Sequence, residues 1–356
     1  MKNDDSGSPV FCVRTRMRIF LVLLVFGGLI SGCQARSSVL EAPPELDPAL
    51  IPEGMTAEEA ATLASLEQVD DYPLYSMTYF GDYNPYEEET GINPAFQADW
   101  ACSLFVAFGD SDEVLYGRNF DWDFSPGLLL YTDPEDGYAS VSMIDLYYLG
   151  YGGEQAFGLT DLTLEALAGM LSAPYLPFDG LNEAGLAVGF AAVPDVGTKP
   201  DPAKETIDSL MVVRKILDGA ATVEEAVEII KSYNIDWGSG PALHYLVADN
   251  SGHSALIEFS SEGIVTLENQ KPWQGATNFL LSQAWTDPAT HCWRYGVISE
   301  RLEENEGILS PQEAINLLED VSQENTQWSV VYQMSAGEVW IAMGRDYADI
   351  LKFDLK

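Results

Sequence analysis

The stretch Trp100–Asp123, WACSLFVAFGDSDEVLYGRNFDWD, decides how the rest of the chain is interpreted. CSLFVAF and EVLYGRN are apolar or alternating runs of strand length, and the GDSD between them is typical of a turn. The pattern predicts a β-hairpin in which the start of the first strand meets the end of the second. We therefore expect the thiol of Cys102 to face Arg118 and Asp121.

This arrangement predicts chemistry at Cys102. A guanidinium beside the sulfur favours the thiolate, which is the nucleophilic form of cysteine. A carboxylate would not help the thiol alone, but it would hold a second cation. The α-amine of Cys102 would be that cation if the chain were cut after Ala101, and its pKa of about 7.7–8.0 suits a general base. The alternatives are a buried core cysteine and a strand-end ion pair between Arg118 and Asp121.

The first 33 residues have the pattern of an export signal. Arg14, Arg16 and Arg18 precede an apolar run at 19–30 that is too short to span a bilayer, and small residues lead into Cys33 in LISGC. LISGC resembles a bacterial lipobox, whose cysteine is lipidated; an ordinary signal peptide is the alternative. We therefore predict an extracytoplasmic protein that is anchored to the bacterial cell membrane through lipid on Cys33.

Three segments are expected after the signal at 1–33. Residues 34–54 are rich in proline and polar residues, which is typical of a tether. A cut after Ala101 would divide the remaining chain into residues 55–101 and residues 102–356.

The order of the apolar runs predicts the fold class. Strand-like runs come in hairpin-like groups with pairs of helices between them, which favours stacked antiparallel sheets with helices outside over a parallel βαβ array. Thr56 and Glu59 form a capping-box pattern that opens a helix to about Val69. The other predicted helices cover 162–172, 206–218, 223–233, 288–305 and 311–322.

Composition and the remaining motifs exclude several classes of protein. The net charge of −39 excludes a protein that binds a nucleic-acid backbone, which needs clustered Lys and Arg. The histidines His244, His253 and His291 lack zinc-site spacing, and there is no G-x-S-x-G elbow. We therefore predict no metal and no cofactor. In an exported protein, Cys102 and Cys292 could form a disulfide, or at least one of them is a working thiol.

Cys102, followed sixteen residues later by the arginine of YGRNFDW, resembles the N-terminal-nucleophile (Ntn) hydrolases of the choloylglycine hydrolase group. This group includes bile salt hydrolases, penicillin V acylases, acid ceramidase-like amidases and isopenicillin-N acyltransferase-like enzymes. The resemblance covers about residues 95–356. It implies an α+β protein with a four-layer αββα sandwich.

The resemblance also implies roles for individual residues. FDGLNEAGLAVG and GATNF match segments whose asparagines contribute to the oxyanion hole, and CWRYGVISERL resembles a helix that carries a further active-site arginine. The residues matched in this way are Cys102, the nucleophile; Arg118 and Asp121, which orient it; Asn182 and Asn278, in the oxyanion hole; and Arg294, the further arginine.

The function implied by the resemblance is hydrolysis of a linear amide by an N-terminal cysteine. About a hundred residues precede Cys102, so the resemblance implies self-cleavage between Ala101 and Cys102. Residues 55–101 would then be a prosegment, and residues 102–356 the catalytic domain. Most residues of the aromatic stretches LLLYT, YYLGYGG and APYLPF are expected to be core. If some of them line an acyl pocket, they favour a small-molecule N-acyl amide with a lipid-like or aryl acyl group as the substrate. Two alternatives are an N-acyltransferase on the same scaffold and a noncatalytic surface lipoprotein that binds a ligand.

Overall fold

The computed structural model describes residues 43–83, 101–195, 197–238, 240–284 and 286–355, whose strands form two large sheets and one small one. The first sheet contains, in spatial order, β1 (Glu67–Asp70), β2 (Leu74–Thr78), β5 (Gly127–Thr132), β6 (Ser140–Asp145), β7 (Asp179–Asn182), β8 (Ala187–Val193), β11 (Ala242–Ala248), β12 (Ser254–Ser260) and β13 (Gly263–Glu268). The second contains β14 (Trp273–Ala276), β3 (Ala101–Ala107), β4 (Leu115–Asp121), β15 (Thr326–Gln333), β16 (Glu338–Met343) and β17 (Leu351–Asp354). The small sheet pairs β9 (Thr206–Asp208) with β10 (Asn234–Asp236) in parallel.

Helices cover the outer faces of both large sheets. Leu63 of the first helix packs with Tyr75 and Leu128 on the nine-stranded sheet. Ile298 and Leu318 of the last two helices pack with Phe105 and Leu115 on the six-stranded sheet. The described α-helices are α1 (Ala57–Ala64), α2 (Leu164–Leu167), α3 (Met211–Gly219), α4 (Val223–Ser232), α5 (Trp293–Glu304) and α6 (Pro311–Asp320).

The inner faces of the two sheets meet in one apolar core. Leu104 and Tyr116 from the six-stranded sheet share this core with Phe190 and Tyr245 from the nine-stranded sheet. The Tyr116 hydroxyl also donates to the carbonyl of Leu246 at 3.0 Å, which ties the sheets together. The predicted α+β class and four-layer αββα sandwich are therefore confirmed.

The predicted hairpin is present as β3 and β4. Ala101 lies opposite Asp121 and Cys102 lies opposite Phe120, so the register agrees with the prediction. Side chains alternate between the two faces of a strand, and Cys102 belongs to the inner core whereas Phe105 faces the outer helices. Gly117 is required on that outer face, because a Cβ there would lie 2.4 Å from the Phe105 ring.

Part of the predicted prosegment is built into the nine-stranded sheet. β2 pairs with β5 in parallel, from Leu74 opposite Gly127 to Thr78 opposite Tyr131, and β1 pairs with β2. Residues 84–100 lie outside the described residues, as do the export signal at 1–33 with Cys33 and the first part of the predicted tether, residues 34–42. Among the described residues, no helix combines the length and apolarity needed to cross a bilayer.

Several predicted helix boundaries are wrong. α1 has the predicted capping box but ends at Ala64 rather than near Val69, because the residues that follow pair as β1. The helix expected from Thr206 begins only at Met211, since β9 precedes it. The helix predicted at 162–172 is α2 followed by a 3₁₀ helix at Ala168–Tyr175. A 3₁₀ turn at Pro288–Thr290 precedes α5. α4 and α6 end at Ser232 and Asp320 rather than at 233 and 322.

Asp145, at the end of β6, joins the segment before β5 to the turn that follows β6. Its Oδ1 accepts hydrogen bonds from the Ser125 hydroxyl and from the Tyr147 N–H. Within the described residues its Oδ2 has no hydrogen-bond partner. Burial raises the pKa of this carboxyl from 3.8 to about 7.

We expect Asp145 to make the protein less stable as the pH rises. Between about pH 4 and pH 7 the folded protein keeps the Asp145 proton and the unfolded chain has lost it, so unfolding is favoured progressively over this range. The free energy of unfolding of the wild type, minus that of Asp145→Asn, should therefore fall by a few kcal/mol across the window and then level off. Urea denaturation at a series of pH values measures this difference, and a constant difference would contradict the assignment.

Candidate active site

Three backbone and side-chain atoms of Cys102 have partners. Its N–H donates to Asn278 Oδ1 at 2.7 Å, and its carbonyl oxygen accepts a hydrogen bond from Arg294 Nη1. Its Sγ lies 3.8 Å from Arg118 Nη2. The Cys102 side chain is fully buried on the inner face of β3. Nitrogen, oxygen and sulfur of one cysteine are thus each held by a different side chain.

Arg118 is paired with a carboxylate that the sequence analysis missed. Its Nη1 contacts Asp179 on β7, in the opposite sheet, and both side chains are fully buried. The Tyr332 hydroxyl donates to the other oxygen of Asp179. Although burial alone would lower the pKa of Arg118, the Asp179 carboxylate raises it, so the guanidinium stays charged beside the Cys102 sulfur. Asp179 lies in the same FDGLN motif as Asn182, and this was the available signal.

Burial governs the protonation of the nucleophile candidate. It raises the pKa of the Cys102 thiol, and the Arg118 guanidinium lowers it by less. In this arrangement the neutral thiol is favoured, so the expectation of a guanidinium-stabilised thiolate is wrong for the chain that is continuous through Ala101. A base would have to take the thiol proton during a reaction.

Asp121 does not face the sulfur as predicted. Its carboxylate accepts hydrogen bonds from the Thr326 hydroxyl and from Gln323 Nε2, and lies 3.8 Å from Arg294 Nη1. Arg118 and Asp121 are three residues apart in one strand, so their side chains point to opposite faces. The position beside the Cys102 nitrogen, which the sequence analysis gave to Asp121, belongs to Asn278.

Arg294 and Asn278 form the second half of the cluster. Arg294 lies in the first turn of α5 and donates to Asn278 Oδ1 at 2.9 Å and to Ser103 Oγ at 2.9 Å, in addition to the carbonyl of Cys102. Asn278 Nδ2 donates to the carbonyl of Ala192 on β8 at 2.8 Å. The structure therefore brings both residues to Cys102, from positions more than 170 residues along the chain.

Asn182 is not part of this cluster, which corrects its predicted place in the oxyanion hole. Its Nδ2 donates to the carbonyls of Leu217 and Ala220, and its Oδ1 accepts the Leu186 N–H. An asparagine side chain has only two N–H groups, and both of these are used to join β7 to α3. Asn182 is a buried structural residue at the β7–β8 turn.

Neither a disulfide nor a metal is assigned in the described part of the chain. Cys102 and Cys292 are both free thiols, and Cys292 lies at the N-terminus of α5. Glu224, Asp249 and His253 bring ligand atoms within 4.8 Å of one another. The Asp249 carboxylate is already occupied by backbone N–H groups, and Glu224 and His253 are largely exposed. This surface group lies apart from the contacts of Cys102.

Residues 102–277 match the model of a known family, the linear amide C–N hydrolases, choloylglycine hydrolase family. These residues, about half of the chain, belong to the choloylglycine hydrolase family. As a member of this family, the protein is a hydrolase that acts on the C–N bonds of linear amides. The match begins at Cys102 and includes Arg118, Asp121 and Asp179, whereas Asn278 follows it directly and Arg294 lies further along the chain.

Solved structures show that the fold is also that of Ntn hydrolases. A variant of the conjugated bile acid hydrolase from Clostridium perfringens is 17% identical, with a TM-score of 0.50 over 71% of this chain and 92% of that one. The penicillin V acylase from Agrobacterium tumefaciens is 18% identical, with a TM-score of 0.50 over 71% of this chain and 86% of that one. At this identity the likeness concerns the fold that the choloylglycine hydrolase family shares.

Proposed function

We propose that this choloylglycine hydrolase family member hydrolyses a small N-acyl amide with Cys102 as an N-terminal nucleophile that is freed by self-cleavage after Ala101. The observation that carries the proposal is the arrangement around Cys102, in which Asn278 holds the nitrogen, Arg294 the carbonyl oxygen and Arg118 the sulfur. The family match that begins at residue 102 supports a catalytic chain that begins there.

The cut itself uses the same thiol. The Cys102 sulfur attacks the carbonyl carbon of Ala101, and the peptide C–N bond breaks as the nitrogen takes up the thiol proton. Water then hydrolyses the resulting thioester. The products are a carboxylate on Ala101 and a free α-amine and thiol on Cys102. The hydrogen bond from the Cys102 nitrogen to Asn278 Oδ1 would then orient the new amine.

The amine provides the base that the buried thiol lacks. A free α-amine has a pKa of about 7.7–8.0 and can take the thiol proton near neutral pH. The thiolate attacks the carbonyl carbon of the substrate amide, and the amine returns the proton to the leaving nitrogen. Water then releases the acid from the thioester on Cys102. Asn278 uses one N–H for Ala192, and its second N–H is a candidate oxyanion donor.

A row of aromatic rings supports an aryl or lipid-like acyl group. Phe120, directly opposite Cys102, lies 5.1 Å from Phe178, which in turn lies 5.1 Å from Tyr148. Tyr147, whose ring centroid lies 6.4 Å from that of Tyr148, is 44% exposed. Apolar rings therefore extend from the nucleophile to the surface, where an apolar acyl group would enter.

We also propose that lipid on Cys33 anchors the protein outside the cytoplasm. The support is the LISGC motif after a basic and then an apolar segment. The wild type should then fractionate with membranes and carry a lipid mass on residue 33. Cys33→Ala should lose both properties, and a membrane-bound Cys33→Ala protein with its signal removed would contradict the anchor.

Asn278→Ala should lower kcat by about 10²–10³-fold if its amide is an oxyanion donor. The change also removes the acceptor of the Cys102 nitrogen. Steady-state kinetics on protein whose cleavage has been verified by mass measures this effect. An unchanged kcat in folded, fully cleaved protein would remove Asn278 from the mechanism. Asn316, on α6, provides a control because its side chain is exposed, and Asn316→Ala should retain the wild-type kcat.

The proposed function is tested by intact-mass measurement combined with an amidase panel. The panel contains penicillin V, a glycine-conjugated bile acid and an N-acylethanolamine, each incubated with and without a competing amine. We expect a fragment that begins at Cys102 and release of free acid from at least one panel member. Full activity in an uncut chain would end the N-terminal-nucleophile proposal, and transfer of the acyl group to the amine in place of water would assign an acyltransferase.

A further inference from the structure

Asn278 lies in a segment without regular secondary structure. β14 ends at Ala276, and the next regular element is the 3₁₀ turn Leu281–Gln283. Yet Asn278 makes contacts at 2.7–2.9 Å with Cys102, Arg294 and Ala192. A segment that has no ladder or helix of its own must be held in place by groups outside it.

A buried carboxylate holds this segment. Glu258 on β12 is fully buried, and its two oxygens accept the N–H groups of Leu281 at 2.6 Å and Ser282 at 2.9 Å. Hydrogen bonds to a charged acceptor are roughly twice as strong as neutral ones. The start of the 3₁₀ turn, three residues after Asn278, is therefore fixed to the nine-stranded sheet.

His244 supports the carboxylate from the neighbouring strand. Its Nδ1 lies 3.4 Å from Glu258 Oε1, and its ring is buried. Burial alone would raise the pKa of Glu258, but the hydrogen bonds from His244 and Ser282 outweigh it and lower the pKa, so the carboxylate is ionised. His244 follows Leu243, which lies opposite Ala192 in the sheet.

These contacts meet at Asn278 from two sides. The carbonyl of Ala192 on β8 accepts a hydrogen bond from the Asn278 amide, while Glu258, which His244 of β11 contacts, accepts the N–H groups of the turn that follows. The orientation of the Asn278 amide decides whether Oδ1 or Nδ2 faces the Cys102 nitrogen. A shift of about 1 Å in such a group can cost on the order of 10²-fold in rate.

We propose that Glu258, supported by His244, is a positioning residue that fixes the segment carrying Asn278 against Cys102. It touches neither Cys102 nor the place where a substrate would react, and it acts through the backbone of Leu281 and Ser282. The inference rests on the proposed roles of Cys102 and Asn278. It adds a residue on β12 that the choloylglycine hydrolase motifs in the sequence do not mark.

The test is Glu258→Gln, which keeps the shape but places an amide N–H₂ where one backbone N–H now donates. We expect kcat, per chain with a free Cys102 amine, to fall about 10-fold or more. The KM should stay within about 3-fold and the melting temperature close to that of the wild type, because the damage is to orientation and not to substrate contacts. The substrate is the panel member with the highest wild-type kcat/KM.

The matched control is Asp249→Asn. Asp249 is also a buried carboxylate that accepts backbone N–H groups, from Val223 and Ser251, and it lies just after β11 in the same β11–β12 hairpin. It has no contact with the segment of Asn278 in the described structure. We expect this variant to retain the wild-type kcat.

Three results would overturn the inference: a kcat for Glu258→Gln within about 2-fold of the wild type, an equal loss in Asp249→Asn, or a loss that lies only in KM. If Glu258→Gln does not fold, Glu258→Asp decides the question, because it keeps the charge and shortens the reach of the side chain. A wild-type kcat in Glu258→Asp would then refute the positioning role. Cys102→Ala distinguishes a failure of the proposed function from a failure of the positioning role alone. Activity in that variant refutes the proposed function, whereas an inactive Cys102→Ala with a fully active Glu258→Gln refutes only the positioning role.

Discussion

Cys102→Ala should abolish amide hydrolysis, with kcat lowered on the order of 10⁶-fold, as for removal of a catalytic nucleophile. The alanine variant cannot form the thioester and cannot attack the carbonyl of Ala101. The chain should therefore also remain uncut. The free energy of unfolding should fall only slightly, because replacing the buried thiol by a methyl group leaves only a small void. Intact mass and the amidase panel together measure both losses.

Cys292→Ala is the matched control for this prediction. Cys292 is the other free thiol in the described part of the chain and lies at the start of α5, outside the contacts of Cys102. This variant should be cut and should remain active. If Cys292→Ala were inactive and Cys102→Ala active, the nucleophile would have been assigned to the wrong cysteine.

Asp179→Asn should destabilise the fold by about 3–5 kcal/mol, the usual cost of removing one partner of a buried ion pair. Arg118 is fully buried, and Asp179 is the carboxylate that it contacts across the two sheets. The variant would leave a guanidinium in the core without its counter-charge. Urea denaturation in a Cys102→Ala background, where the chain is expected to stay in one piece, measures the free energy of unfolding.

Asp320→Asn provides the comparison for Asp179. Asp320 forms an ion pair of the same chemistry with Arg301 at 2.9 Å, but both side chains are more than a third exposed. Exposed pairs contribute about 0–1 kcal/mol, so this variant should unfold almost like its parent. A loss below about 1 kcal/mol for Asp179→Asn would show that other groups can compensate the charge of Arg118.

Local patterns in the sequence predicted the hairpin of β3 and β4 well. Alternation and the GDSD turn together placed Cys102 at the end where Asp121 arrives, and the observed register agrees. The capping-box pattern of Thr56 and Glu59 likewise predicted the start of α1, because the cap involves residues within one turn. Where a structure is formed by neighbours in sequence, the sequence was sufficient.

Contacts between distant parts of the chain explain most of the site predictions that were missing or wrong. The partner of Arg118 is 61 residues away in the other sheet, and although Asp179 lies in the FDGLN motif, nothing in the hairpin indicates that it pairs with Arg118. The misplaced Asp121 was an avoidable error, since a spacing of three in a strand reverses the face. Asn182 matched a family segment, yet the packing of α3 against β7 uses both of its N–H groups.

The parallel pairing of β2 with β5 has a consequence for how this enzyme can be produced. A gene that began at Cys102 would encode a sheet whose outermost strand is β5, with a free row of N–H and C=O groups and without the cover that Tyr75 and Met77 give to Leu128 and Leu130. Such an open edge is a template on which a second copy can add its own strand, which leads to aggregation. The leading segment therefore completes the sheet, and the proposed cut after Ala101 would convert one polypeptide into a noncovalent heterodimer that shares a single sheet.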